Sequence, residues 1–209
     1  MTFTPVQLHR MSKHSRATWA ITCMSLTYAT VRYNVFKGVP WSDWPVYVVN
    51  KALALASLLL LLTWILRARV GPDESASGLL SHARRLALVH AGLSLAILSP
   101  AYFPAFFVDG KLNWPSGVSL LIGVVAASGL YLRSRPSVSW PATVRSLGVV
   151  GLITGIHAGL NGYGSWLAPA TWPGYMPPIT LIAFAVGVAG MAAALRAGAG
   201  AASGGERHR

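Results

Sequence analysis

The chain has 209 residues, of which 54% are hydrophobic and only 11% charged, a composition too apolar for an ordinary soluble domain. Its formal net charge is +12, but the distribution of the basic residues argues against a DNA-binding role. The single cysteine, Cys23, excludes an internal disulfide and any cysteine-rich zinc or iron–sulfur site. These numbers instead predict a membrane protein whose partner is the lipid bilayer, with no nucleic acid.

Six segments are about as long and as apolar as a membrane-spanning helix, which needs about 20 mainly apolar residues. They are 17–36, 46–66, 79–100, 117–133, 146–163 and 178–196. We therefore expect an all-α fold, an integral membrane bundle of six transmembrane helices over 17–196. A cytoplasmic arm, 1–16, would precede the bundle, and a disordered cytoplasmic tail, 197–209, would follow it.

The basic residues are divided unevenly between the two expected sides of the membrane. Six spans place both termini and the second and fourth loops on one side, where 13 of the 17 basic residues lie. These are Arg10, Lys13, Arg16, Arg67, Arg69, Arg84, Arg85, Arg133, Arg135, Arg145, Arg196, Arg207 and Arg209. Cytoplasmic loops are enriched in Lys and Arg, so this pattern predicts a multi-pass protein of the cell inner membrane with both termini in the cytoplasm.

Two cations lie near the outer ends of the first two expected helices. Arg32 is close to the end of the moderately polar first helix, and Lys51 follows Asn50 about one turn inside the second. A cation at the depth of Arg32 either extends to the membrane interface or meets an anionic group inside the bundle.

Two histidines lie well inside apolar helices, where an imidazole is costly to bury. His90 is in the third expected helix and His157 in the fifth, and each begins the same tetrapeptide, His-Ala-Gly-Leu. Two imidazoles on facing helices make a six-coordinate haem centre suited to electron transfer. The residues leave an alternative open, in which each histidine only hydrogen-bonds across helices as a packing contact.

Four further residues fit a haem between these helices. Gly92 and Gly159 each follow a histidine by two positions, and the missing side chain would make room for a porphyrin edge. Arg32 and Lys51 would be partners for the haem propionates. Counted from the expected outer helix ends, the two histidines differ in depth by about 7 Å.

Other polar residues of the third helix lie nearer to the basic side. His82 is expected close to the interface, where a hydrated histidine costs little, so it is the weaker ligand candidate. Arg84 and Arg85 would reach the propionates only if the haem lay toward the cytoplasm.

Three stretches of sequence resemble a known family. They are VRYNVFKGVPWSDWPVYVVNKALALASLLLLL, RRLALVHAGLSLAILSPAYFPAFF and RSLGVVGLITGIHAGLNGYGSW. Over roughly 17–196 the chain resembles the ferric reductase-like transmembrane domain. That family includes the membrane parts of ferric reductases and NADPH oxidases, and the haem-binding membrane subunit that serves periplasmic methionine sulfoxide reductase. The resemblance implies b-type haem, electron transfer across the membrane, and His90 and His157 as axial ligands.

The sequence departs from the larger family members, which carry two histidines on each ligand helix and stack two haems. We therefore expect one haem b. Flavin and nicotinamide domains are absent, so the resemblance implies separate proteins as electron donor and acceptor. The donor would be a cytoplasmic flavoprotein or quinol, so that a quinone or a flavin comes from a partner. The chain would then be an electron-transfer component of an oxidoreductase.

A second class of function stays open from the sequence. The chain could be a cofactor-free multi-span membrane protein, either a transporter component or an assembly partner. No Asp or Glu falls in any expected span, which argues against a proton-driven transporter.

Overall fold

The computed structural model describes residues 13–71, 77–132, 139–160 and 162–204, and these residues are mostly helical. Six long helices follow one another along the chain. They are α1 Lys13–Thr30, α2 Val49–Ala68, α3 Ser77–Ala96, α4 Trp114–Leu132, α5 Trp140–Leu160 and α6 Ile179–Gly204. The all-α class expected from the sequence is confirmed.

Four helical stretches of the described residues are long and apolar enough to cross a membrane. They are Trp41–Ala68, Trp114–Leu132, Trp140–Leu160 and Pro173–Ala197, which contain α2, α4, α5 and α6. The other two helices are more polar, because α1 begins with basic residues and α3 carries His82, Arg84, Arg85 and His90. A membrane environment is therefore supported, whereas the count of six spans and the side of the termini stay predictions.

The first two helices meet through two π-helical turns, Val31–Phe36 after α1 and Trp44–Val48 before α2. A π-helical turn bonds each N–H to the carbonyl five residues earlier, and such turns are frequent at functional sites. The first turn buries three consecutive polar or aromatic residues, Arg32, Tyr33 and Asn34. The chain therefore places polar groups in the interior at this end.

A short β-hairpin lies between α3 and α4. Strand β1, Phe107–Val108, pairs antiparallel with β2, Lys111–Leu112. Asp109 and Gly110 form the turn with φ of 50° and 73°, and positive φ at both central residues is the geometry of a type I′ turn. The segment between α3 and α4 is rich in aromatic residues, and its strand pair was not predicted.

Both ends of the bundle extend beyond the expected spans. The first helix begins at Lys13, inside the proposed arm, and α6 continues to Gly204, inside the proposed disordered tail. Alanine is the best helix former, and the run after Arg196 is rich in it, which explains the longer helix. The remaining arm and tail, 1–12 and 205–209, lie outside the described residues.

The last two helices pack closely because glycines replace side chains where they cross. A Cβ on Gly187 of α6 would lie 2.6 Å from the Gly151 carbonyl oxygen, and one on Gly148 would lie 2.5 Å from the Ala194 Cβ. Small residues at such crossings let two backbones approach. The glycine-rich face of α5 is therefore largely occupied by α6.

Helix α2 is the centre of the bundle, with contacts to α1, α3, α5 and α6. Helix α4 contacts both α3 and α5. The two histidine helices, α3 and α5, do not form an extensive interface with each other among the described residues. They are instead held by their common neighbours.

Two clusters of buried apolar residues divide the core along the bundle axis. The larger surrounds Leu60, Ile65 and Leu147, at the end where α2 finishes and α5 begins, which we call the basic end. The smaller surrounds Val48 and Leu55 near the start of α2, at the opposite end, which we call the histidine end.

Candidate functional site

His90 is held by the facing helix α2 through one ring nitrogen. Its Nδ1 lies 2.7 Å from the Asn50 side-chain oxygen and 3.2 Å from the Asn50 carbonyl oxygen. Asn50 is buried and donates from Nδ2 to Ser94 Oγ at 2.9 Å. Ser94 Oγ also lies 3.4 Å from Nδ1, but the Asn50 carbonyl oxygen can only accept, so Nδ1 carries the proton. In the neutral ring the lone pair is then on Nε2.

His157 is held in the same way by α4. Its Nδ1 lies 2.6 Å from the Ser119 carbonyl oxygen, and the Ser119 hydroxyl donates to the His157 carbonyl at 3.0 Å. The ring packs against Gly123, where a Cβ would lie 2.9 Å from its Cε1 atom. The carbonyl acceptor again places the proton on Nδ1 and the lone pair on Nε2.

The two imidazoles are close enough to interact electrostatically, and Lys51 interacts with each of them. His90 lies six residues before the last residue of α3, and His157 three residues before the last residue of α5. At about 1.5 Å per residue the difference is about 4.5 Å, smaller than the 7 Å expected from the sequence. Within the described residues neither Nε2 has a hydrogen-bond partner.

Lys51 lies beside these histidines among aromatic rings. Its Nζ is 5.0 Å from the centroid of Tyr47 and 4.9 Å from that of Phe103. Aromatic faces attract a cation, and they partly replace the water that it loses on burial. The aromatic segment after α3 therefore contributes a wall to the site.

Arg32 is only 6% exposed and lies at the same end. It donates from Nη1 to the Met176 carbonyl, and its guanidinium carbon lies 5.9 Å from the Tyr33 centroid. Its Nε is buried without a hydrogen-bond partner in the described structure, as is the side-chain oxygen of Asn34. A buried polar atom without a partner is rare and calls for an explanation.

Three cations lie near the histidines. Lys37 interacts electrostatically with both Arg32 and Lys51. We call these three residues, Arg32, Lys37 and Lys51, the outer cation cluster. Burial, followed by the neighbouring Arg32, lowers the pKa of Lys37, which lies outside the expected spans. Neither Arg32 nor Lys51 has a carboxylate partner among the described residues, whose only acidic members are Asp43 and Asp109.

The two glycines of the repeated tetrapeptide have different surroundings. A Cβ on Gly92 would meet nothing within 4 Å. A Cβ on Gly159 would lie 3.0 Å from Cη2 of Trp166, whose indole also contacts Phe184. Gly92 therefore has open space beside it, while Gly159 accommodates an indole from the long loop after α5.

The weaker candidates of α3 lie toward the basic end. His82 is exposed and its Nδ1 is 2.7 Å from the Gly78 carbonyl of its own helix. Arg84 donates from Nε to the Leu130 carbonyl of α4 at 2.9 Å. These contacts do not join His82 or Arg84 to the two buried histidines.

Four residues of the site were not assigned a site role from the sequence: Asn50, Ser94, Ser119 and Gly123. Each is a polar or small residue within an apolar helix, and this property alone could have marked it as a site residue. Which of the many such residues face a histidine depends on how the helices are rotated, and a single sequence does not give that rotation.

The donor set limits what the site can hold. No group of three or more His, Cys, Asp or Glu side chains suited to a metal ion occurs among the residues that the structure describes. Two imidazoles, however, are what a six-coordinate haem takes from its protein. No family model matches this chain, and no curated protein matches it.

Proposed function

We propose that this chain is a membrane electron-transfer subunit that binds one b-type haem between His90 of α3 and His157 of α5. One observation carries the proposal: both histidines donate from Nδ1 to a fixed oxygen on a neighbouring helix, which leaves each Nε2 free to bind iron. An oxygen acceptor on the other ring nitrogen is the usual support of a metal-binding histidine, because it sets the tautomer and orientation.

The surroundings of the histidines fit a flat, anionic cofactor. Helices α3 and α5 do not pack extensively on each other among the described residues and are held by their common neighbours α2 and α4. The outer cation cluster lacks carboxylate partners among the described residues, and Arg32 has an unpaired buried Nε. Propionates paired with Arg32 and Lys51 would neutralise these charges. When bound, the haem would supply one-electron chemistry, and the chain would ligate it, orient it and exclude water.

We extend the proposal to topology and partners. In a six-span bundle α1 and α3 would cross the membrane together with the four apolar helices. Polar side chains of α2 support α3 in such a bundle, since Asn50 donates to Ser94 and Ser57 donates to the Ala83 carbonyl. The basic end would face the cytoplasm of the inner membrane by the positive-inside rule. Electrons would come from a cytoplasmic flavoprotein or from quinol and leave to an acceptor at the histidine end, as in the ferric reductase-like family.

The second candidate function is a cofactor-free membrane protein, a transporter component or an assembly partner. The same hydrogen bonds support it, since each histidine already joins two helices through Nδ1 and needs no ligand to be held. The two proposals therefore differ on the role of Nε2 alone.

A visible spectrum of the detergent-purified protein, produced with added iron and haem precursor, distinguishes these proposals. We expect sharp α and β bands after reduction, and their loss or conversion in His90→Ala and in His157→Ala. His82→Ala is the matched control on α3 and should keep the wild-type spectrum. A folded, monodisperse protein without these bands would support the cofactor-free function, and bands that persist unchanged in both histidine variants would assign the ligands elsewhere.

A further inference from the structure

A pocket of about 390 Å³ opens at the basic end, far from the histidines. It is lined by 68–71 at the end of α2, by Trp140, Pro141 and Val144 at the start of α5, and by Arg196 and Ala197 of α6. His157 lies 17 residues along α5 from Trp140, which is about 25 Å. The pocket is therefore separate from the candidate haem site.

The charge of this pocket is positive. Arg69, directly after α2, and Arg196 of α6 both line it, and no carboxylate lines it among the residues that the structure describes. Within the part of the chain that the structure describes, neither arginine forms an ion pair. Two guanidinium groups lining one opening favour an anion with several acceptor oxygens, such as a phosphate group.

Exposed apolar side chains lie next to both arginines in the chain, and Val70 also lines the pocket. Val70 is 93% exposed and Leu195 is 54% exposed, and each is the chain neighbour of one of the arginines. The inner wall is rigid, because the Trp140 indole donates to the Ala68 carbonyl at 3.0 Å and packs on Trp64 at 5.7 Å between centroids. Cations above exposed apolar side chains match a molecule that has an anionic head and hydrocarbon tails.

We propose that this pocket binds the headgroup of an anionic phospholipid, with Arg69 and Arg196 contacting its phosphate and the acyl chains lying along Val70 and Leu195. Basic pockets between membrane helices on the cytoplasmic side are typical sites for such headgroups. The proposal depends on the charge and place of the pocket and is independent of whether the histidines bind haem.

Native mass spectrometry of the full-length protein in neutral detergent tests this site. We expect phosphatidylglycerol or cardiolipin to remain bound and phosphatidylcholine to be lost. The double variant Arg69→Gln/Arg196→Gln should bind the anionic lipid about 30-fold more weakly, from about 1 kcal/mol per basic residue near a membrane surface. Arg145→Gln removes an exposed arginine of α5 that does not line the pocket, and it should bind like the wild type.

Three results would overturn the proposal. They are equal retention of phosphatidylcholine by the wild type, unchanged binding in the double variant, and displacement of the lipid by millimolar inorganic phosphate, which would make the pocket a site for a soluble anion. The charge-preserving variant Arg69→Lys/Arg196→Lys should keep most of the affinity, and the wild-type comparison of lipids decides the matter even if the glutamine variant does not fold.

Discussion

The two ends of the bundle differ in the kinds of residue that they bury. The apolar cluster of the basic end joins fifteen buried residues, including Leu60, Leu79 and Leu147, whereas that of the histidine end joins six. The histidine end instead buries Arg32, Asn34 and Asn50, and two of their polar atoms have no partner in the described structure. Burying unpaired polar groups costs free energy, so the apolar end supplies the stability and the polar end holds groups kept for another purpose.

The largest expected effect concerns the crossing of α5 and α6. In Gly187→Ala the new methyl group would lie 2.6 Å from the Gly151 carbonyl oxygen, a backbone atom that cannot move aside. We expect a loss of about 1–3 kcal/mol of stability, measured as a lower unfolding temperature in detergent. Gly78→Ala, a helical glycine with nothing within 4 Å, is the control and should be neutral or stabilising. An equal loss in both variants would contradict the close crossing.

A second glycine tests the histidine end without altering that crossing. Gly123→Ala places a methyl group 2.9 Å from the His157 ring and should displace the imidazole. We expect haem occupancy, read from the Soret absorbance per protein, to fall strongly while the unfolding temperature changes little. Gly117→Ala on the same helix meets only Leu112, at 3.8 Å, and should keep its haem. Full haem occupancy in Gly123→Ala would show that haem binding does not depend on the position of His157.

The hydrogen bonds to the two histidines differ in a way that mutation can measure. His90 depends mainly on the side chain of Asn50, while His157 depends on the backbone carbonyl of Ser119. Asn50→Leu should therefore weaken haem binding by about 10–100-fold, the usual cost of losing such a support. Ser119→Ala keeps the carbonyl and should cost much less. Equal losses in a haem titration would show that the histidines are not oriented by these oxygens.

The smallest expected effect comes from the outer cation cluster. A cation near the haem favours the reduced form, since reduction lowers the positive charge of the iron centre. Lys51→Gln should therefore lower the reduction potential with little loss of haem, as measured by a spectroscopic redox titration. Lys111→Gln removes an exposed cation of the hairpin at the same end and should leave the potential unchanged. A rise in the Lys51→Gln variant would contradict the proposed pairing.

Much of the fold follows from the sequence because apolar runs determine where helices form. All six expected helices are present, with ends shifted by up to six residues, and by eight at the alanine-rich end of α6. The hairpin could have been predicted from Asp109-Gly110, which is a strong two-residue turn signal. The π-helical turns could not, because their hydrogen bonds depend on how the loop returns to the bundle.

For the candidate site, the sequence predicts individual residues but not which residues of other helices contact them. His90 and His157 are candidates because an imidazole is costly in an apolar helix, and the two interact electrostatically in the structure. Their supports come from other helices, so Asn50 and Ser119 could not be assigned without the packing. The repeated tetrapeptide also suggested equal roles for Gly92 and Gly159, but Trp166 returns from a distant loop to fill the space beside Gly159.

The glycine crossing of α5 and α6 has a consequence for the two histidines. His157 belongs to a pair of helices joined backbone to backbone, so its position would not depend on the proposed haem. His90 is on a helix whose neighbouring side chains Leu88, Val89 and Leu95 are at least half exposed. The imidazole of His157 is therefore on a closely packed helix, and that of His90 is on a helix with a more exposed surface. A haem that entered the bundle from the lipid would do so beside α3.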